Sequence, residues 1–310
     1  MQSEPQCIPC VLKQCERVVE VAWANESFRQ QILATYPDKD QLLSQIRHRA
    51  LEITSHLSLQ DPPSKFTSQV LKEIYQILTF NDPFELIKKA QNELGKNIYS
   101  FAQKELKNST DPLHLAISFS ACGNIIDVGP ADIYSVANQS VSLTEEIQSL
   151  AQQRLAIDDY KIFKEKFRTA EKILFILDNA GEIYLDKLLL ERLKGPELFI
   201  AVKTSPILND ALKNDAIASG LDSIGKIITL SDDKNYRFLG VDFSYTSETF
   251  NEIFNSCDLV IAKGHANFES LVDCERDCFF ILMAKCPVVA QKLGVKIKDR
   301  VLYYSPIKTE

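Results

Sequence analysis

The feature that most restricts this chain is a series of short apolar runs at 173–177, 198–202, 226–230, 259–262, 279–284 and 301–304. Each is strand-length, and segments of helical character at 183–193, 207–219 and 249–255 lie between them. Strands that are apolar on both faces and alternate with helices predict a mostly parallel sheet covered on each side. The expected fold class is therefore α/β, a three-layer α/β/α Rossmann-like arrangement.

The first third reads differently. Of ten glycines, only Gly95 precedes position 123, so tight glycine turns are scarce there. Val11, Cys15, Val18, Val19 and Ala22 follow 3–4 spacing, as do Leu42, Leu43, Ile46, Ala50 and Ile53, and Val70, Leu71, Ile74 and Leu78. A fourth helix is expected from Phe84 to about Leu106, entered through Asp82 and Pro83. Residues 1–110 are read as a helical N-terminal domain or cap. Residues 111–310 are read as the α/β domain, with 111–170 as a helical connection. Net charge is −7, which argues against a generally basic nucleic-acid binder. No apolar run reaches membrane-spanning length, and the polar N-terminus lacks a secretion pattern, so a cytoplasmic location is expected.

The strand ends carry the chemistry. In open α/β sheets ligands bind outside the carboxyl ends of the strands. Here the run at 173–177 ends in Asp178, Asn179, Ala180, Gly181 and Glu182. The next ends in Lys203, with Asn209 and Asp210 expected one turn into the following helix. The run at 259–262 ends in Lys263, Gly264, His265, Ala266, Asn267, Phe268 and Glu269. A carboxylate beside an amide oxygen is a hard donor pair suited to Mg²⁺ or Mn²⁺. Asp178 emerges from a dry strand and needs a counter-charge; a helix cap is the plainer role for either Asp178 or Asn179. A lysine, a glycine and a helix N-terminus together suit an anion. Earlier, Asn124 and Asp127 share a helical face behind Gly123 and point toward the same cleft.

The chain has eight cysteines, expected to be free thiols. Cys7 and Cys10 form a CxxC with no second CxxC to complete a structural zinc site. Cys274, Cys278 and Cys286 are within reach only through tertiary folding.

Taken in order, these segments, with Cys122-Gly-Asn124, Asp127 and the segment 285–290, resemble domain of unknown function 89, the metal-dependent damage-control phosphatases. The similarity is to the stand-alone, cysteine-containing prokaryotic subgroup and covers essentially the whole chain. The resemblance implies a divalent cation (Mn²⁺, Co²⁺, Ni²⁺ or Mg²⁺) on Asp178, Asn179 and Asp210, with Lys263 binding phosphate. It implies hydrolysis of small phosphometabolites, sugar phosphates or damaged cofactor phosphates, with neither nucleic acid nor membrane as partner. In that reading Asp178, Lys263, Asn124 and Asp127 are catalytic. Lys263, Asn267, Glu182, Lys203 and His265 contact the substrate. The subgroup's Lys-Gly-Gln-Gly-Asn is broken here by His265 and Ala266, which bears on loop conformation and substrate preference. Two other classes stay open. One is an S-adenosylmethionine-dependent methyltransferase, though no glycine-rich loop follows the strand at 173–177. The other is a non-catalytic metal-binding or redox module built on the cysteines.

Overall fold

The computed structural model describes residues 1–78, 82–126 and 136–307, without the side chains of 136–140. Four helices open the chain: α1 (Cys7–Ala24), α2 (Glu26–Leu33), α3 (Lys39–Ser55) and α4 (Pro63–Leu78). Their starts follow from local chemistry. Asn25 Oδ1 accepts the Ser27 N–H at 3.0 Å, and Asp38 Oδ1 the Gln41 N–H at 2.8 Å, each satisfying an orphan helix donor. The expected 3–4 periodicity faces inward, with Val11, Val18, Ile46, Val70 and Ile74 buried in one cluster.

Next come α5 (Glu85–Asn108), α6 (Pro112–Cys122), α7 (Val136–Ala151), β1 (Ile157–Asp158) and α8 (Tyr160–Thr169). Then β2 (Lys172–Ile176), α9 (Glu182–Leu190), β3 (Glu197–Val202), α10 (Lys213–Ala218), β4 (Lys226–Thr229), α11 (Glu248–Ser256) and β5 (Leu259–Lys263) alternate. The chain closes with α12 (Gly264–Leu271), β6 (Cys278–Met283), α13 (Pro287–Leu293) and β7 (Arg300–Ser305). The sheet order is β1-β7-β6-β5-β2-β3-β4.

Pleating divides the strand residues between two cores. Ile173, Phe175, Ile200, Ile261 and Phe279 pack against α5, α6 and α9. Leu174, Ile176, Ala201, Val260 and Phe280 face α11, α12 and α13. This is the expected three-layer α/β/α arrangement. Two departures have local causes. Strand β7 runs antiparallel to β6. The connection between them closes where it opens: Ala284 N–H donates to Asp299 O at 2.8 Å and Lys298 N–H to Ala284 O at 2.7 Å. It never crosses to the other end of the sheet, so the chain re-enters from the carboxyl edge. The helix expected at 207–219 is confined to α10. Residues 208–209 instead form a turn, and Asp210 makes an isolated bridge with Asn179.

The helical cluster is not sealed from the sheet. Ile207 and Leu239 belong to it, and α5 contributes Phe84 and Ile87 to it while Leu94, Ile98 and Ala102 join the sheet core. No described helix is long and apolar enough to cross a membrane.

Candidate active site

The loop at 209–211 explains how two distant carboxylates meet. Ala180 N–H donates to Asn209 O at 2.9 Å, Ala211 N–H to Asp178 O at 2.8 Å, and Lys203 N–H to Ala211 O at 3.1 Å. The segment is thus laced between the ends of β2 and β3, and carries Asp210 alongside Asp178 and Asn179. All three line one cavity of about 410 Å³, with Asn124, His265, Glu269, Lys285, Cys7, Cys10 and Cys286. Asp210 therefore sits on a loop, where a helical turn had been expected.

Hydrogen bonds orient the Asn179 amide. Its Nδ2 donates to Asp178 Oδ2 at 2.7 Å and to Glu182 Oε2 at 3.2 Å. Both amide hydrogens are used, which leaves the carbonyl oxygen as the free donor atom. Asn124 is held likewise, its Nδ2 on Glu182 Oε1 at 3.2 Å. Asp210 Oδ2 is buried and accepts no hydrogen bond, with Lys203 Nζ at 3.5 Å.

Burial raises the Asp178 carboxyl well above its usual range, and Glu182 and Asp210 add to the shift against Lys203 and Lys285. Burial likewise pushes Asp210 up to about 6, against Lys203. Two desolvated carboxylates beside an oriented amide oxygen share one close ammonium, Lys203, and a hard divalent cation fits such a donor set. Among the described residues no group of three or more His, Cys, Asp or Glu is placed to hold a metal. A cation here would therefore rely on the Asn179 oxygen as its third protein donor.

Gly264 makes room for this arrangement. Its φ is +77°, and a Cβ there would lie 1.9 Å from Asp178 Oδ2. The left-handed position thus falls on a glycine that is present, while Ala266 lies within α12 without strain.

Several expected residues are placed otherwise. Lys263 was expected to face phosphate, but it lies beneath the cavity with no exposure. Its Nζ is spent on Glu182 Oε1 at 2.5 Å, Asp186 Oδ1 at 2.9 Å and Ser120 O at 2.9 Å. Burial opposes the ammonium charge, yet Asp186 and Glu182 outweigh it and raise its pKa. Glu182 is 1% exposed and orients amides. Asn267 is buried and donates to Leu177 O at 3.0 Å and Lys263 O at 2.7 Å. Lys203 Nζ donates to Gly240 O at 2.6 Å and stands behind Asp210. These four support the site from below and do not line it. His265 does line it, but its Nε2 sits between Met283 O at 2.7 Å and Lys285 N at 2.8 Å. Burial, with help from Lys285, lowers its pKa to about 4, so the ring is neutral and tied to the end of β6. Asp127 lies outside the described residues.

The sequence marked the segment 285–290 without assigning a role to Lys285, the lysine that lines the cavity, and Asp186 was missed. The latter had a signal: Glu182 and Asp186 stand at i, i+4 on a helix rich in leucine and isoleucine, and buried carboxylates in that pattern require a cation. Burial and Glu182 push Asp186 up to about 7, against Lys263 and Ser120.

Residues 3–301 match the family described as the damage-control phosphatase ARMT1-like domain. This chain belongs to that family. The damage-control phosphatase PH1575 of Pyrococcus horikoshii is 33% identical over 304 residues, 95% of either chain. A damage-control phosphatase of Archaeoglobus fulgidus is 29% identical over 268 residues, 85% of this chain and 90% of the other. The crystal structure of PH1575, described as a DUF89 family protein, superposes with a TM-score of 0.83 at 31% identity, covering 98% of this chain and 99% of that one. Membership in the damage-control phosphatase family supports a phosphatase function.

Proposed function

We propose that the protein is a divalent-metal-dependent phosphate-monoester hydrolase acting on small phosphorylated metabolites. The observation that carries this is the convergence of Asp178, Asn179 and Asp210 in one cavity, with Lys285 on its wall. Asp178 and Asp210 would hold the cation through carboxylate oxygens and Asn179 through its amide oxygen. When bound, the cation (Mn²⁺, Co²⁺, Ni²⁺ or Mg²⁺) supplies Lewis-acid polarisation of the phosphoryl group. Lys285, on the cavity wall, would neutralise phosphoryl oxygens, the role expected of Lys263 from sequence. The Asn124 amide, held by Glu182, presents its carbonyl oxygen to the cavity from the end of α6.

The lining also narrows the substrate. Among the described residues Lys285 is the one cation on the wall, since His265 is neutral, and no Phe, Tyr or Trp lines the cavity. One cation suits one phosphoryl group. With only the tethered His265 ring and no Phe, Tyr or Trp to stack on, a nucleobase gains little. The lining therefore favours a sugar monophosphate over a nucleotide or a di- or triphosphate.

The test is release of inorganic phosphate from hexose monophosphates, nucleoside monophosphates and nucleoside triphosphates, before and after EDTA dialysis and Mn²⁺ addition. Turnover is expected only with the cation restored, with the highest kcat/KM on hexose monophosphates. Asp178→Asn is expected to abolish both Mn²⁺ binding and turnover. Activity that survives EDTA, or an Asp178→Asn protein that keeps full turnover, would overturn the reading.

A further inference from the structure

Two consecutive residues of α5, Gln91 and Asn92, hold one each of the two backbone segments that carry the acidic cluster. Asn92 Oδ1 accepts the Gly181 N–H at 2.8 Å, two residues past Asn179. Gln91 Oε1 accepts Asn209 Nδ2 at 3.2 Å, next to Asp210. The other end of the Asn92 amide also reaches the second segment: Nδ2 donates to Asp215 Oδ1 at 2.8 Å, and Asp215 Oδ2 accepts the Leu212 N–H at 2.9 Å. Lys88, one turn earlier on α5, stands 3.9 Å from Asp215 Oδ2 and 2.6 Å from Asp82 Oδ2.

The backbones set the spacing. A Cβ at Gly95 would lie 2.2 Å from Gly181 O, and one at Gly181 would lie 2.6 Å from Gln91 O. Gly181 has a φ of +76°. Helix α5 is thus seated directly on the turn after Asn179. Gln91 is fully buried, and its Nε2 has no partner. A buried amide kept at that cost is placed for its acceptor oxygen.

We propose that Asn92, assisted by Gln91, is a positioning residue for cation binding: it clamps the 178–181 and 209–212 segments so that Asp178, Asn179 and Asp210 stay in register. The inference rests on the reading of those three residues as a cation site. A cation gains from donors held in place beforehand, and loss of an outer-shell partner costs affinity without touching a donor. The amino-terminal helical part thereby acts on the site through α5 and contributes more than cover.

The experiment measures Mn²⁺ affinity of the metal-free full chain by calorimetry, with the apo-protein thermal midpoint recorded in parallel. Asn92→Ala removes the acceptor for Gly181 and the donor for Asp215, and is expected to weaken Mn²⁺ binding by about 10–100-fold. The exchange variant Asn92→Asp/Asp215→Asn keeps an acceptor for Gly181 and a donor–acceptor pair between the two positions. It is expected to restore affinity close to wild type, and it carries the test if the alanine variant does not fold. An Asn92→Ala protein with a lowered midpoint but wild-type Mn²⁺ affinity overturns the clamp, because the role is then structural only. An exchange variant that binds no better than alanine overturns it as well. If the wild-type chain binds no Mn²⁺, the cation-site reading falls first and takes the clamp with it. If wild type binds and Asp178→Asn does not, failure at Asn92 counts against the clamp alone.

Discussion

Lys263 and Lys285 follow successive strands, and the pleat separates their fates. Along β5, Leu259 and Ile261 face the α5–α6–α9 side and Val260 and Ala262 the other. Continuing that alternation turns Lys263 toward Ser120, Glu182 and Asp186. Lys285 lies past the end of β6 and is exposed at the cavity wall. The two lysines therefore predict opposite phenotypes. Lys263→Met strands two buried carboxylates, and breaking such a network costs about 3–5 kcal/mol of stability. Lys285→Ala leaves stability near wild type but removes the charge facing the phosphoryl oxygens, a loss of about 10²–10³ in rate. Urea unfolding and phosphate-release kinetics on both variants check this. A stable Lys263→Met protein with selectively lost turnover would return the phosphate contact to Lys263. The strand-end position of Lys263 was legible in the sequence, and its direction was legible from period-2 alternation. Its partners were not, because Ser120 and Asp186 come from helices more than 70 residues away in the chain.

At the scale of elements, α12 packs several duties into one short helix. Gly264 clears space for Asp178, His265 ties to the end of β6, Asn267 caps buried carbonyls, and Glu269 faces the cavity. Burial pushes Glu269 up to about 8, against the Met1 ammonium and the Ser64 N–H. A carboxyl whose folded pKa lies above its unfolded value keeps its proton longer in the native state. Its contribution is fully present below about pH 4.5 and is lost as pH rises through about 8. The full loss is about 5 kcal/mol as an upper bound, at 1.36 kcal/mol per pKa unit. Glu269→Gln has no proton to lose, so its stability relative to wild type should climb between pH 5 and pH 9. Parallel unfolding free energies for the two proteins across that range would refute this. The sequence marked this helix by its lysine, glycine and amide. Glu269 closes the same Lys-Gly-x-x-Asn-x-Glu run, but its raised pKa was not legible, because its environment is made by Ser64 and the start of the chain.

For the whole molecule, the sequence separates a helical part from an α/β part by glycine use and periodicity, and the proposed boundary near residue 110 follows from that contrast. Packing reaches across that proposed boundary. Helix α5 is shared, with Phe84 and Ile87 in the helical cluster and Leu94 through Leu106 in the sheet core. Hydrogen bonds cross as well. Leu208 N–H donates to Tyr75 Oη at 2.9 Å, Leu239 N–H to Ser68 Oγ at 2.8 Å, and Gly181 N–H to Asn92 Oδ1 at 2.8 Å. Periodicity cannot reveal such sharing, because a helix face looks equally apolar against either neighbour. Local opening of one layer would break these bonds and the packing around them, so the two parts should unfold together. Trp23, the chain's single tryptophan, packs against the helical cluster and reports on that part alone, whereas far-ultraviolet circular dichroism reports on both. Their urea midpoints should coincide. A cation at 100 times its Kd should stabilise the fold by about 2.7 kcal/mol and move both midpoints equally, although Trp23 lies outside the acidic cavity. A Trp23 transition that precedes the dichroism change, or one that ignores added Mn²⁺, would mean that the helical part is an independent unit and that α5 does not couple it to the site.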